Sequence, residues 1–198
     1  MIVYLFGELA HIEPTYAIVE TGGIGYKTKI SLNTYSAIKD LKGKCKLHTH
    51  LHIKEDAHTL FGFFEPVEKS VFQDLISVSG IGPGTAIMML SSMNASEVQH
   101  AIASEDLRSI QAIKGIGAKT AQRVILELKD KMKKSALMAD GQTVSYSAHN
   151  TKRNEALSAL VTLGIARNAA EKNIDTILKK EGDALSLEQL IKLALKMA

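Results

Sequence analysis

The residues best able to do chemistry occur as one phrase written twice. Ser79-Gly80-Ile81-Gly82-Pro83-Gly84-Thr85-Ala86 is echoed by Lys114-Gly115-Ile116-Gly117-Ala118-Lys119-Thr120-Ala121, at an offset of 35 residues. Glycine takes a positive φ without a Cβ clash, so it permits a very tight turn and lets a ligand lie against bare backbone. The amides that follow open a helix, where unpaired N–H groups and the positive end of the helix dipole coincide. That is chemistry for an anion, and the natural anion is a phosphate. Ile81 and Ile116 are expected to face inward and pin each turn to a core. One Gly-Ile-Gly fits a plain helix connection as well. Two in register, with matching apolar flanks, point to paired helix-hairpin-helix motifs, which grip nucleic-acid backbone rather than read bases.

Charge is distributed to suit that chemistry. The net charge is only +3, but residues 63–107 carry one base (Lys69) against six acids, and residues 108–134 carry eight bases against two acids. Lys114, Lys119, Arg123, Lys129, Lys131, Lys133 and Lys134 gather on and after the second turn. An ordinary solvated basic helix would look the same. Beside a Gly-rich amide turn, phosphate contact is the better reading.

Two further polar features precede the turns. His48, His50 and His52 alternate along one apparent strand and so share a face. No other histidine or carboxylate is tied to them by spacing, so they read as a solvated strand face and not as a metal site. Lys54-Glu55-Asp56 lies between two apparent strands, where acids are usually turn chemistry. In a protein that grips phosphates, such a tip would also repel a backbone placed beside it.

The elements that must position these groups follow from the pattern. Residues 1–63 read as five strands, Ile2 to Leu9, Tyr16 to Glu20, Tyr26 to Leu32, Lys44 to Ile53 and Thr59 to Phe63, with a short helix at Asn33 to Leu41. This suggests a small Greek-key barrel of the OB type. In the third strand, Tyr26, Thr28, Ile30 and Leu32 should share one face. Residues 64–134 read as a helical domain holding both turns, with Pro66 in a first turn, Val67, Val71, Leu75 and Val78 on one apolar face, and Asn94-x-x-Glu97 as a capping box. A short helix should span Glu105 to Ala112, and the last should begin at Lys119. Residues 135–151 lose periodicity and read as a flexible linker. Residues 152–198 read as a small three-helix bundle, with Ala156, Leu157 and Leu160 on one face, Ala169, Ile174, Ile177 and Leu178 on the second, and Ser186-x-x-Gln189 capping a third that carries Leu187, Leu190, Ile191, Ala194 and Leu195. The fold class is therefore α+β and multi-domain.

Composition excludes several classes. No apolar run is long enough to cross a membrane, and the start Met1-Ile2-Val3-Tyr4 lacks the basic region of a signal peptide. Cys45 is the only cysteine, so no disulfide or cysteine-based zinc site forms within the chain, which suits a cytoplasmic protein. Gly117-Ala118-Lys119-Thr120 comes closest to a Walker A loop but has Ala118 where the loop needs a glycine before its lysine, so no ATPase activity is expected of this chain. No catalytic residue, metal or cofactor is assigned. The rival class is a helix-hairpin-helix DNA repair enzyme, a nuclease or glycosylase, for which Asp130 is the nearest acid after the second turn.

Taken together, these residues resemble one family: RuvA, the Holliday-junction-binding subunit of the bacterial branch-migration machinery. Met1-Ile2, Gly22-Gly23-Ile24-Gly25-Tyr26, Lys54-Glu55-Asp56-Ala57, Leu60-Phe61-Gly62-Phe63, both turns, Glu127-Leu128-Lys129-Asp130 and Ala159-Leu160-Val161-Thr162-Leu163-Gly164 fall where the family has them. The resemblance implies a homotetramer, alone or paired face to face, that holds a four-way junction open and square during recombination, repair and the SOS response. It implies that Glu55 and Asp56 form an acidic pin at the centre. It implies DNA contact at Lys54, Gly80, Ile81, Gly82, Gly84, Thr85, Lys114, Gly115, Ile116, Gly117, Lys119, Thr120 and Arg123. It implies a C-terminal domain that meets the hexameric ATPase RuvB through Leu160, Leu163 and Ile165, and it leaves the RuvC resolvase open as a further partner. This chain departs from the family in having Gly84 and Ala118 where bases are common, and Ile165 where an aromatic is common.

Overall fold

A computed structural model describes residues 1–139, 148–181 and 185–197. The chain divides into two compact units, residues 1–141 and 142–198.

The first unit begins with a closed five-stranded barrel. Its strands are β1 (Tyr4–Glu13), β2 (Tyr16–Thr21), β3 (Ile24–Lys29), β4 (Lys44–Ile53) and β5 (His58–Phe63), and helix α1 (Leu32–Ile38) lies between β3 and β4. The order around the barrel is β1-β2-β3-β5-β4; β3 and β5 run parallel and the other pairs antiparallel. The expected OB-type barrel is therefore present. Inward residues such as Leu5, Val19, Ile30, Leu47 and Leu60 alternate with outward ones, as a half-buried strand requires. β1 is longer than expected because pairing with β2 continues to Glu13. β3 is shorter, because Ser31 turns the chain into α1 by accepting a hydrogen bond from the Thr34 amide. Leu32 consequently opens a helix instead of continuing the strand face, and it is 46% exposed.

Five helices complete this unit: α2 (Pro66–Ser77), α3 (Pro83–Ser92), α4 (Ala95–Ala103), α5 (Leu107–Gln111) and α6 (Ala118–Ala139). Pro66 sits at the start of α2, and Asn94 and Glu97 form a reciprocal capping box on α4. Val71, Leu75 and Val78 are buried together, but Val67, one turn earlier, is 49% exposed. α5 is shorter than expected because Glu105 adopts φ 60°. The Asp106 amide then reaches back to the Ala101 carbonyl at 2.8 Å, a Schellman-type stop for α4.

The barrel interior keeps its own core around Leu5, Val19, Ile30 and Leu47, while Phe61 and Phe63 of β5 join the core of the helices and bind the two parts together. Phe61 and Phe63 of β5 lie 5.1 and 4.9 Å from Phe72 of α2, ring centre to ring centre. Beside them, the buried Glu68 carboxylate accepts hydrogen bonds from Ser31 and Thr34 of the α1 end. Thr34 also receives the Phe64 amide at 3.1 Å. Asn33 donates to the carbonyls of Leu90 and Met93 on the α3 side.

The second unit contains α7 (Ala148–Thr162), α8 (Arg167–Glu181) and α9 (Leu187–Lys196) around a small core of Leu157, Leu160, Ile174, Ile177 and Leu190. Arg153 makes a two-pronged bond to Asp175, at 2.7 and 3.0 Å, tying α7 to α8. Gly164 stops α7 with φ 93°, and Ile165 N–H returns to the Leu160 carbonyl at 3.0 Å. Ser186 and Gln189 cap α9 reciprocally. Ala170 takes the buried position expected of Ala169, which is exposed, and Leu195 is also largely exposed. The expected linker narrows at both ends, since α6 continues through Ala139 and α7 begins at Ala148; its middle, 140–147, lies outside the described residues.

Candidate nucleic-acid interface

The two turns are built from the same backbone hydrogen bonds. In the first, the Val78 amide donates to Leu75, Ile81 to Val78 at 3.0 Å, and Ala86 to Gly82 at 3.0 Å. In the second, the Ile113 amide donates to Ile110, Ile116 to Ile113 at 3.1 Å, and Ala121 to Gly117 at 3.0 Å. Gly80 and Gly115 take φ of 95° and 90°, the left-handed conformation that disfavours a side chain. Ile81 and Ile116 are buried, so their side chains anchor the turns and only their backbones can reach a ligand.

The outer side of each turn is open. A Cβ added to Gly80, Gly82, Gly84 or Gly117 would meet nothing within 4 Å. No side chain caps α3 at Gly82, which leaves its first-turn amides to water or a ligand. α6 opens after Gly117 in the same way, with Lys119 exposed and Thr120 half-buried in its first turn. Lys114 is exposed at the approach to the second turn. Two bare amide turns, with cations beside the second, can bind the phosphates of a polyanion through backbone donors.

The basic run is not uniformly available. Lys129 pairs with Glu105, and Lys131 pairs with the buried Asp74. The hydrogen bond between them lowers the Glu105 pKa and raises that of Lys129. Lys131 thereby ties α6 to α2, while Lys129 makes a surface pair with the connection between α4 and α5. Sequence spacing missed both acids because the partners are distant in the chain. Arg123 Nη1 donates to the Ser79 carbonyl at 3.2 Å, and its Nε lies 3.9 Å from Glu127.

Lys54, Glu55 and Asp56 form an exposed tip between β4 and β5, closed by a 2.9 Å bond from the Lys54 amide to the Ala57 carbonyl. Neither acid is buried. The histidine face is not solvated as expected. His50 packs edge-on to Phe72 at 5.4 Å, His52 to Phe61 at 6.5 Å, and His52 Nε2 is buried with no hydrogen-bond partner. Burial first, then nearby lysines, pushes the His48 pKa down; burial first, then His52 and Lys69, does the same at His50. This face is the seam between barrel and α2. In the second unit, Leu160 is fully buried in the bundle core, Ile165 is half-buried against it, and Leu163 is 61% exposed. Leu160 therefore presents no side chain for docking, because it is packed in the bundle core with Ile174, Ile177 and Leu190.

A five-stranded barrel, a helical region carrying two open glycine turns and a separate helical bundle define a class of backbone-gripping nucleic-acid adaptor. Residues 1–62 match the RuvA N terminal domain, 72–130 the SAM-like Helix-hairpin-helix tandem, and 151–197 the RuvA C-terminal domain. The chain is 58% identical over its whole length, and the whole length of the relative, to a Cytophaga hutchinsonii protein named Holliday junction branch migration complex subunit RuvA. Relatives with the same name from Christiangramia forsetii and Bacteroides thetaiotaomicron are 52% and 45% identical, each over 99% of both chains. The chain belongs to the RuvA family. Among the described residues, no helix is long and apolar enough to cross a membrane.

Proposed function

We propose that this protein binds four-way DNA junctions as the non-catalytic subunit of a branch-migration complex. The observation that carries this reading is the pair of turns with matching backbone hydrogen bonds, open at Gly80, Gly82, Gly84 and Gly117, in a chain matched end to end by relatives bearing the junction-subunit name. Each turn takes phosphate oxygens on its amides, the first with Thr85 beside it and the second with Lys114, Lys119 and Thr120. Contact through backbone donors is indifferent to base sequence, so selectivity comes from the shape of the junction. Assembly into a homotetramer would bring several copies of Glu55 and Asp56 together at the crossover, where their charge repels phosphates and parts the strands. ATP hydrolysis belongs to the partner RuvB, met through the exposed Leu163 and its neighbour Ile165. The full-length matches do not favour the repair-enzyme alternative.

A band-shift titration with labelled four-way junction and linear duplex tests the reading. The junction should bind at least tenfold more tightly, with affinity falling steeply as salt rises. Equal affinity for both DNAs would reject it. In the same assay, Glu55→Gln with Asp56→Asn should tighten junction binding at low salt while reducing strand separation at the crossover. Unchanged geometry and affinity would remove the pin.

A further inference from the structure

Met88 and Arg123 are 35 residues apart, the same offset as the repeat, so they occupy equivalent positions in the helices that follow the two turns. Each reaches across to the other turn. Arg123 Nη1, from the second repeat, meets the Ser79 carbonyl of the first at 3.2 Å. Met88, from the first repeat, lays its methyl group over Gly115 of the second; a Cβ placed on Gly115 would stand 3.5 Å from it. Ser79 and Gly115 flank corresponding points, since Ser79 immediately precedes Gly80, the counterpart of Gly115.

We infer that Met88 and Arg123 form a reciprocal clasp that fixes the two amide turns relative to each other, making both of them positioning residues for phosphate binding. The physical need is clear. A single turn offers a few backbone donors, and two turns act together only if their spacing is set before DNA arrives. The core of the helical region sets the helices, but Gly80 and Gly115 are permissive backbone points within the turns themselves. The carbonyl held by Arg123 belongs to the peptide that leads into Gly80. The methyl of Met88 covers the face of Gly115 that has no side chain of its own. Glu127 lies 3.9 Å from Arg123 Nε, close enough for attraction between the charges but too far for a hydrogen bond. Arg123 can therefore hold the first turn while sitting in the helix of the second. Met88 is uncharged, so any effect it has on DNA affinity must pass through geometry.

The binding part of this inference rests on the proposed junction-binding function; the geometric part does not, and the two are measured separately. Amide hydrogen exchange on the DNA-free full chain reads the clasp. Arg123→Gln should accelerate exchange at the hydrogen-bonded Ile81 amide, and Met88→Ala at the Ile116 amide, each about tenfold and each in the opposite repeat. Met88→Leu should restore slow exchange. Acceleration confined to the mutated residue's own repeat, or none, overturns the clasp whatever the DNA does. Arg123 is exposed, so Arg123→Gln carries this arm even where Met88→Ala melts early. Junction titration then reads positioning. Met88→Ala should bind about fivefold more weakly and lower the salt slope by about one, although it removes no charge. The double variant should lose less than the product of the two single losses. Wild-type affinity and slope in Met88→Ala, with exchange accelerated as expected, would leave a clasp that does not serve binding and would overturn the positioning role.

Discussion

The Thr34 hydroxyl donates to Glu68 Oε2 at 2.6 Å, joining the helix inserted in the barrel to the first helix of the hairpin region. Ser31 donates to the other carboxylate oxygen, and the Thr34 hydroxyl in turn accepts the Phe64 amide. This buried knot, with the Phe61, Phe63 and Phe72 cluster beside it, fixes the barrel and its acidic tip to the two turns. Removing the carboxylate leaves two buried hydroxyls without an acceptor. Glu68→Ala should cost about 3 kcal/mol of stability, measured by urea unfolding.

The same residue gives the protein a pH signature. Burial raises the Glu68 pKa above its ordinary value, opposed by the Ser31 and Thr34 hydrogen bonds. The native state therefore holds this proton at a pH where the unfolded chain has released it. Its contribution to stability is complete below the ordinary carboxylate range and is lost as pH rises through the raised value. Glu68→Gln removes that titration. The melting temperature of the wild type relative to Glu68→Gln should rise as pH falls from 7 towards 4.5; a constant difference would show that the carboxyl is not held up by burial.

Glu105 should be improvable. It is the one described non-glycine residue with a positive φ, at the left-handed stop between α4 and α5 where glycine is the usual occupant. Its side chain pairs with Lys129 on the surface, and exposed pairs contribute little. Relief of backbone strain should outweigh loss of the pair. Glu105→Gly should raise the melting temperature by about 2 °C, whereas Glu105→Ala, which keeps the strain and loses the pair, should lower it. The order Gly above wild type above Ala is the outcome to check by calorimetry.

How far these features could be read in the sequence depended on the range of the interaction. The two turns were legible because their determinants are local: Gly80 and Gly115 need a positive φ, and the same flanks recur at a constant offset. The bounds of β4 and the caps at Asn94 and Ser186 were legible for the same reason. Lys131 could not be matched to Asp74, nor Glu68 to Ser31 and Thr34, because those pairs meet only when distant segments pack. The histidine face read as solvated because alternation shows which residues share a side of a strand, not what covers that side; Phe72 does. Leu32 misled because an apolar residue in phase with a strand continues the pattern even after Ser31 has ended it.

Gly84 marks a position where charge can be added at no steric cost. It lies in the first turn of α3, its φ is not left-handed, and a Cβ there meets nothing within 4 Å. Lysine is also a far better helix residue than glycine. Gly84→Lys should place a cation beside the first turn, comparable with Lys119 beside the second. Junction affinity should rise several-fold at low salt, and the dependence of log affinity on log salt should steepen by about one. Gly84→Ala separates the backbone benefit from the charge: it should stabilise the fold and leave the salt slope unchanged. A Gly84→Lys protein with an unaltered slope would mean that DNA phosphates do not pass this turn.

Leu160 and Leu163 are three residues apart and have opposite environments. Leu160 is buried against Ile174, Ile177 and Leu190 in the core of the second unit, and Leu163 stands out beyond the end of α7. Truncation at the two sites should therefore fail in different ways. Leu160→Ala leaves a cavity in a very small core and should cost about 3 kcal/mol, lowering any partner interaction only through unfolding of this unit. Leu163→Asp exposes no core and should leave its circular dichroism melt unchanged. If the second unit docks the motor through this surface, Leu163→Asp should abolish stimulation of the RuvB ATPase while junction binding stays at the wild-type level. Stimulation surviving in Leu163→Asp would move the docking surface to another face of the bundle, and equal melting of both variants would contradict the placement of Leu160.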